Sequence, residues 1–208
     1  MNTVELEKEK RTVSHAQVVK LCLTGMMTAI VFAGNFLRVT MPVPLGGVTS
    51  FTLANILCAL SGLLLGPVQG FLAAGLGSGL YDLTNPNYVA EAPITLLTKG
   101  MYGLVAGLVL YLLVRAAKER GPVMRENYLA QLAATACAAV GYMVVYSFKV
   151  FFYNGYFINQ FTSPVQSWAL VLSKLPATLV NGGIAIVFAP ILGVALMKAL
   201  KKNHIPGF

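Results

Sequence analysis

Residues 168–196, WALVLSKLPATLVNGGIAIVFAPILGVAL, decide the fold because this stretch is apolar along most of its length and holds one charged residue, Lys174. A membrane-spanning helix requires about 20 consecutive, mostly apolar residues, and the stretch exceeds that length. Pro176 favours a kink, because proline removes one backbone donor and clashes with the preceding turn. The stretch therefore predicts a membrane-spanning helix.

Five further apolar segments precede this one, at about 21–37, 51–65, 68–83, 94–114 and 128–152. Charged residues make up 11% of the chain and the mean hydropathy is +0.72, whereas soluble domains carry about 25% charged residues. No strand-like alternation extends over ten residues, which disfavours a membrane barrel and leaves helices. We predict an all-α integral membrane protein with six transmembrane helices in one membrane domain over 21–199, between a segment 1–20 and a tail 200–208.

The basic residues predict the orientation of this domain, since cytoplasmic loops are enriched in Lys and Arg. Under the six-helix assignment, the opposite loops hold only Arg38, and both termini are predicted to be cytoplasmic. Clustering beside apolar segments also argues against nucleic-acid binding, despite a net charge of +8. The residues on the predicted cytoplasmic side are Lys8, Lys10, Arg11, Lys20, Arg115, Lys118, Arg120, Arg125, Lys198, Lys201 and Lys202.

The sequence offers no catalytic constellation, so we predict that the chain is not an enzyme. Its two histidines, His15 and His204, lie near opposite ends, outside the predicted helices. Ser78 between two glycines is interpreted as a helix-packing position. No phosphate-binding Gly-rich loop with Gly-Lys-Ser/Thr occurs, and the three cysteines have no zinc-type spacing. No cofactor or metal is therefore predicted.

Polar residues at membrane depth predict a binding pocket. Lys99, Lys149 and Lys174 lie in the outer halves of three helices, and an ionisable residue in a membrane usually faces a cavity or a partner. The alternative is that each lysine extends its ammonium group to the interface. Asp82 is a candidate ion-pair partner for one of these lysines. The predicted substrate-binding residues are Tyr81, Asp82, Asn85, Lys99, Tyr146, Lys149, Tyr153, Lys174 and Asn181.

Two other features carry predictions with alternatives. The uncharged first outer loop, 40–50, holds two prolines and two glycines, and is either a connector or a lid over the pocket. On the first helix, Gly25, Ala29 and Ala33 recur every four residues and form a stripe of small side chains. Such a stripe lets another helix approach closely, either within the chain or from a partner membrane protein.

In its size, its six predicted helices and several local runs, the chain resembles the substrate-binding S-components of energy-coupling factor (ECF) vitamin transporters, in particular the riboflavin-type group. The first run matches the Ala-x-x-x-Ala signature of that family. The runs are Ala29-Ile-Val-Phe-Ala33, Leu64-Leu-Gly-Pro-Val-Gln-Gly70, Gly75-Leu-Gly-Ser-Gly-Leu-Tyr81-Asp82, Pro93-Ile-Thr-Leu-Leu-Thr-Lys99-Gly100, and Lys174-Leu-Pro176 through Asn181.

The resemblance implies a protein of the prokaryotic plasma membrane that binds a vitamin or related micronutrient tightly from outside. It also implies association with a transmembrane coupling protein and two ATPase subunits, with the Ala29 and Ala33 face as the docking surface. A flavin, pantothenate or a queuosine precursor would be typical ligands. The alternative is a self-sufficient secondary transporter or small channel, although helices one to three carry no run that recurs in four to six, as inverted repeats often do.

Overall fold

A computed structural model describes residues 3–43, 48–118, 125–203 and 205. Predictions that concern the tip of the first outer loop at 44–47, part of the loop after the fourth helix at 119–124, and His204 lie outside these residues. The described elements, in chain order, are α1 (Thr3–Gly34), β1 (Arg38–Pro42), β2 (Val48–Thr52), α2 (Ala54–Leu65), α3 (Pro67–Thr84), a 3₁₀ turn (Val89–Glu91), α4 (Ala92–Lys118), α5 (Tyr128–Phe148), a π-helical segment (Lys149–Ile158) and α6 (Pro164–Lys202).

The described residues form six α-helices, as the apolar segments predict. Within the described residues, four helical regions are long and apolar enough to cross a membrane: 17–34, 89–117, 128–158 and 164–202. α2 has only 12 residues and is buried along most of its length, so the other helices surround it. α3 contains several glycines, and its exposed large side chains are apolar: Val68, Leu72, Leu76, Leu80 and Leu83.

Glycines let α2, α3 and α4 pack with their backbones in near contact. A Cβ atom at Gly103 of α4 would collide with the backbone of Gly70 on α3, and one at Gly62 of α2 would collide with the Gly103 carbonyl. The turn between α2 and α3 needs Gly66, whose φ of 90° is a conformation that side chains with a Cβ disfavour. Pro67 then begins α3, where its missing N–H costs nothing.

Gly77 confirms the packing interpretation of the small residues around Ser78. A Cβ atom at Gly77 would lie 2.6 Å from the Thr28 carbonyl oxygen and 2.8 Å from the Val31 Cβ, both on α1. The centre of the body is correspondingly filled by many small side chains, with Leu63, Tyr102 and Leu110 among the largest that are fully buried.

The first outer loop contains secondary structure that is not predicted from the sequence. β1 and β2 form an antiparallel hairpin in which Arg38 is opposite Thr52 and Pro42 is opposite Val48. The second predicted apolar segment therefore begins too early, because Phe51 belongs to β2 and α2 starts at Ala54. β-Branched and aromatic residues in β2 suit a strand as well as a helix, so the boundary is not visible in the apolar pattern.

The last two helices are longer than the apolar segments that predict them. α5 continues beyond Phe148 as a π-helical segment that begins at Lys149, and such irregular turns often occur at functional sites. α6 extends over 39 residues and remains helical through Pro176 and Pro190.

Candidate functional site

A polar cavity of about 60 Å³ lies between the helices and the hairpin. Its walls come from the turn after α1, β1, α3, the 3₁₀ turn, α4, α5, the π-helical segment and α6, and β2 contributes four of the residues that line it. The lining residues are Asn35, Arg38, Val48, Thr49, Ser50, Thr52, Asp82, Tyr88, Glu91, Thr95, Thr98, Lys99, Tyr142, Tyr146, Lys149, Thr178 and Asn181.

The amide of Asn181 fastens the hairpin to α6. Its Nδ2 donates to the Ser50 carbonyl oxygen at 2.8 Å, and its Oδ1 accepts from the Thr52 N–H at 2.9 Å. These backbone groups are two residues apart and therefore point to the same edge of β2. The side chain thus acts toward β2 as a neighbouring strand would. A longer contact of 3.4 Å, between the Tyr88 hydroxyl and Ser50 Oγ, joins β2 to the residue before the 3₁₀ turn.

Arg38 forms the polar end of the cavity beside α1 and α3. It donates from Nη2 to Asn35 Oδ1 at 2.6 Å, and the same nitrogen lies 4.0 Å from Asp82 Oδ1. The guanidinium also lies over the rings of Tyr81 and Tyr88, at 4.3 and 4.9 Å from their centroids. The candidate pairing of Asp82 with a lysine is therefore wrong: its ion-pair partner among the described residues is Arg38, because α1 and α3 are adjacent.

Lys99 projects from α4 into the cavity and is only 8% exposed. Its ammonium donates a hydrogen bond to Asn55 Oδ1 of α2 and lies 4.9 Å from the centroid of the Tyr142 ring. Both partners are neutral, so within the described residues Lys99 has hydrogen-bonding and cation–π partners but no ion pair.

Lys149 forms a buried ion pair with Glu91. The two side chains approach to 2.5 Å, and Lys149 also donates to Thr95 Oγ1 at 3.2 Å. Glu91 in turn accepts a hydrogen bond from Asn154 Nδ2 at 2.6 Å. This pair joins the start of the π-helical segment to the 3₁₀ turn before α4.

Lys174 is also buried, at 4% exposure, but its side chain does not line the cavity. It lies four residues before Thr178 and seven before Asn181, both of which do, so it shares their face of α6. Among the described residues, no carboxylate forms an ion pair with Lys174. The alternative that the three lysines reach the membrane interface is wrong in this structure, because all three side chains are buried inside the protein.

The other predicted site residues are divided between the cavity and its surroundings. Tyr146 lines the cavity. Tyr81 does not line the cavity. Its ring packs against the Arg38 guanidinium, and its hydroxyl accepts a 3.1 Å hydrogen bond from Asn85 Nδ2. Asn85 and Tyr153 do not line the cavity; the Tyr153 hydroxyl instead donates to the Ala90 carbonyl oxygen.

Sequence reasoning missed several wall residues. The sequence singles out Arg38 only as the basic residue of the opposite loops, although its position directly after an apolar helix is a usable signal for a site. Asn35, one turn earlier, and Tyr142, four residues before Tyr146, also line the cavity. The four β2 residues carried no comparable signal, because they are small or apolar.

The stripe of small residues on α1 faces away from the rest of the chain. Gly25, Ala29 and Ala33 are exposed, and a Cβ atom at Gly25 would meet nothing within 4 Å. The buried face of α1 is formed instead by Thr24, Met27 and Val31. The alternative that the stripe packs against another described helix of this chain is therefore wrong.

Comparison with known proteins identifies the family of this fold. Residues 15–202 match the family described as ECF-type riboflavin transporter, S component. A solved S component of a bacterial ECF transporter superposes with a TM-score of 0.56 at 17% identity, covering 91% of this chain and 99% of the solved chain. No curated protein matches the sequence.

S components are multi-pass cell-membrane proteins that bind the substrate of an ECF transporter, associate with its ECF module and are not enzymes. The family match extends over all six helices and the hairpin, and the fold agrees with that of a solved S component. The resemblance recognised in the sequence is therefore confirmed, and the chain belongs to the ECF-type riboflavin transporter S-component family.

Proposed function

We propose that this chain is the high-affinity substrate-binding subunit of an ATP-driven ECF importer for a vitamin or related micronutrient. A flavin, pantothenate or a queuosine precursor represents the size and chemistry of the expected ligand. The observation that carries the proposal is the polar cavity, in which three cations, two carboxylates and three tyrosines surround one space inside a membrane protein. Buried polar groups of this density are characteristic of binding sites in membrane proteins.

The cavity volume supports the hairpin as a lid. Ligand pockets typically enclose about 300–1,000 Å³, so the 60 Å³ cavity must enlarge to hold a vitamin-sized molecule. The helices around it are joined by the Glu91–Lys149 ion pair and by close backbone packing. The hairpin is tied to α6 mainly through one side chain, Asn181. We propose that the ligand enters when the hairpin moves away.

The exposed face of α1 supports docking to a partner. We propose that Gly25, Ala29 and Ala33 contact a transmembrane coupling protein, which works with two ATPase subunits. Small side chains permit the close helix approach that stabilises association in lipid, where no hydrophobic driving force exists between helices. We further propose that both termini lie in the cytoplasm, as the positive-inside rule favours, and that residues 21–199 form the membrane domain.

Native mass spectrometry of the detergent-purified chain, expressed in rich medium, tests the binding function. A single bound species of vitamin size is expected. The partner requirement is tested in liposomes that contain the chain alone or the chain with its ECF module: uptake should require the module and ATP. Accumulation by the chain alone would refute the proposal in favour of a self-sufficient transporter.

A further inference from the structure

The charges around the cavity do not balance. Between Glu9 and Glu119 the whole sequence contains two acidic residues, Asp82 and Glu91. Asp82 faces Arg38 at 4.0 Å, and Glu91 is bound to Lys149 at 2.5 Å.

Two buried cations therefore remain without an ion-pair partner among the described residues. Lys99 donates to the neutral Asn55 side chain, and Lys174 forms no ion pair with any described residue. The hairpin tip at 44–47, Pro-Leu-Gly-Gly, contains no acid that could neutralise either of them. The excess of two positive charges around this end of the protein is thus a property of the sequence as well as of the structure.

A buried cation without a counter-charge is costly in a membrane protein. Such residues usually face a cavity, or pair with another charged group or a ligand. The surroundings of Lys99 are those of a receptor for an anion. Its ammonium has three donors, of which Asn55 accepts one, and Lys99 lines the cavity together with Thr95 and Thr98.

We propose that the substrate of this protein carries an anionic group, a carboxylate or a phosphate, which binds at Lys99 and is further stabilised by the field of Lys174. The inference rests on the proposed binding function and narrows the class of ligand. A neutral heterocycle would fill the cavity but leave both lysines without a counter-charge. An anionic ligand supplies that charge in the position where the chain lacks a carboxylate.

Matched ligand pairs test the inference on the full chain in detergent or nanodiscs. The probes are pantothenate with panthenol, nicotinate with nicotinamide, and riboflavin 5′-phosphate with riboflavin; in each pair the first member is anionic and the second neutral. Dissociation constants are measured by calorimetry for wild type, Lys99→Met and Lys174→Met. Lys198→Met is the control, because Lys198 is exposed at the other end of α6.

We expect the wild-type protein to bind the anionic member of at least one pair at least tenfold more tightly than the neutral member. Lys99→Met should remove that preference, Lys174→Met should reduce it, and Lys198→Met should retain it. Equal or tighter binding of the neutral member by wild type would overturn the inference while supporting the proposed function, and this comparison does not depend on any variant folding. An anion preference that survives Lys99→Met would overturn the assignment to Lys99. Binding of no member of the panel would count against the proposed function itself, and against the inference with it.

Discussion

Replacement of Asn181 by alanine should release the hairpin without unfolding the helices. Asn181 makes two hydrogen bonds to β2, at 2.8 and 2.9 Å. A typical hydrogen bond contributes about 0.5–1.5 kcal/mol net, and a buried backbone group left unpaired costs about 1–3 kcal/mol. Once the hairpin moves, water can solvate the Ser50 carbonyl and the Thr52 N–H, so the lower range applies. We therefore expect the closed hairpin to lose about 1–3 kcal/mol, which corresponds to roughly 5- to 150-fold in its closing equilibrium.

Two measurements report that change. Hydrogen exchange should accelerate in the 48–52 segment of Asn181→Ala, because the Thr52 N–H is bonded to the Asn181 side chain. The dissociation rate of the bound ligand should rise by a comparable factor. Asn203→Ala is the matched control, since Asn203 lies exposed at the end of α6 and its side chain bonds only the local Ala199 carbonyl. Unchanged exchange and unchanged ligand dissociation in Asn181→Ala would refute Asn181 as the fastening of the hairpin.

Three further predictions concern packing, docking and the ion pair. Gly103→Ala should lower the free energy of unfolding by about 1–3 kcal/mol or more, because its Cβ would collide with the α3 backbone, whereas Gly183→Ala, where nothing lies within 4 Å, should be neutral or slightly stabilising in a thermal-unfolding assay. Ala29→Trp should leave ligand affinity unchanged in calorimetry but abolish uptake by the assembled complex; a parallel loss of affinity would contradict docking. Glu91→Gln should destabilise the protein by about 3–5 kcal/mol, because it leaves Lys149 buried without its partner; an unchanged melting temperature would show that the pair contributes little.

The sequence was sufficient to predict the helical body and one part of the site. Long apolar segments specify membrane helices because lipid leaves the backbone few alternatives, and charged residues inside them are predicted to face a cavity. Lys99, Lys149 and Asp82 do line one cavity. Their partners were not predictable in the same way. The pairing of Arg38 with Asp82 depends on which helices are neighbours, and helical periodicity within one segment contains no such information.

Asn181 illustrates which contacts the sequence does not predict. Its spacing from Lys174 placed it correctly on the cavity face of α6. Its two hydrogen-bond partners, however, are backbone atoms about 130 residues earlier in the chain. Because those partners are backbone groups, the side chains of β2 give no indication of the contact. The same reason explains why the hairpin was not anticipated: its pairing depends on backbone register and on the asparagine that covers its edge.

The distribution of rigidity in this fold determines which wall can move. α2, α3 and α4 meet through glycines whose backbones touch, so separating them would break contacts that no side-chain rotation could restore. The wall between the π-helical segment and the 3₁₀ turn is held by the buried Glu91–Lys149 pair, whose separation would leave two uncompensated charges. The β2 strand lacks both constraints, since the Arg38–Asp82 ion pair lies at the start of β1, and its backbone groups can exchange the Asn181 bonds for bonds to water at small cost. If the cavity enlarges at β2, as we propose, the affinity of the site and the strength of the Asn181 contact should change together.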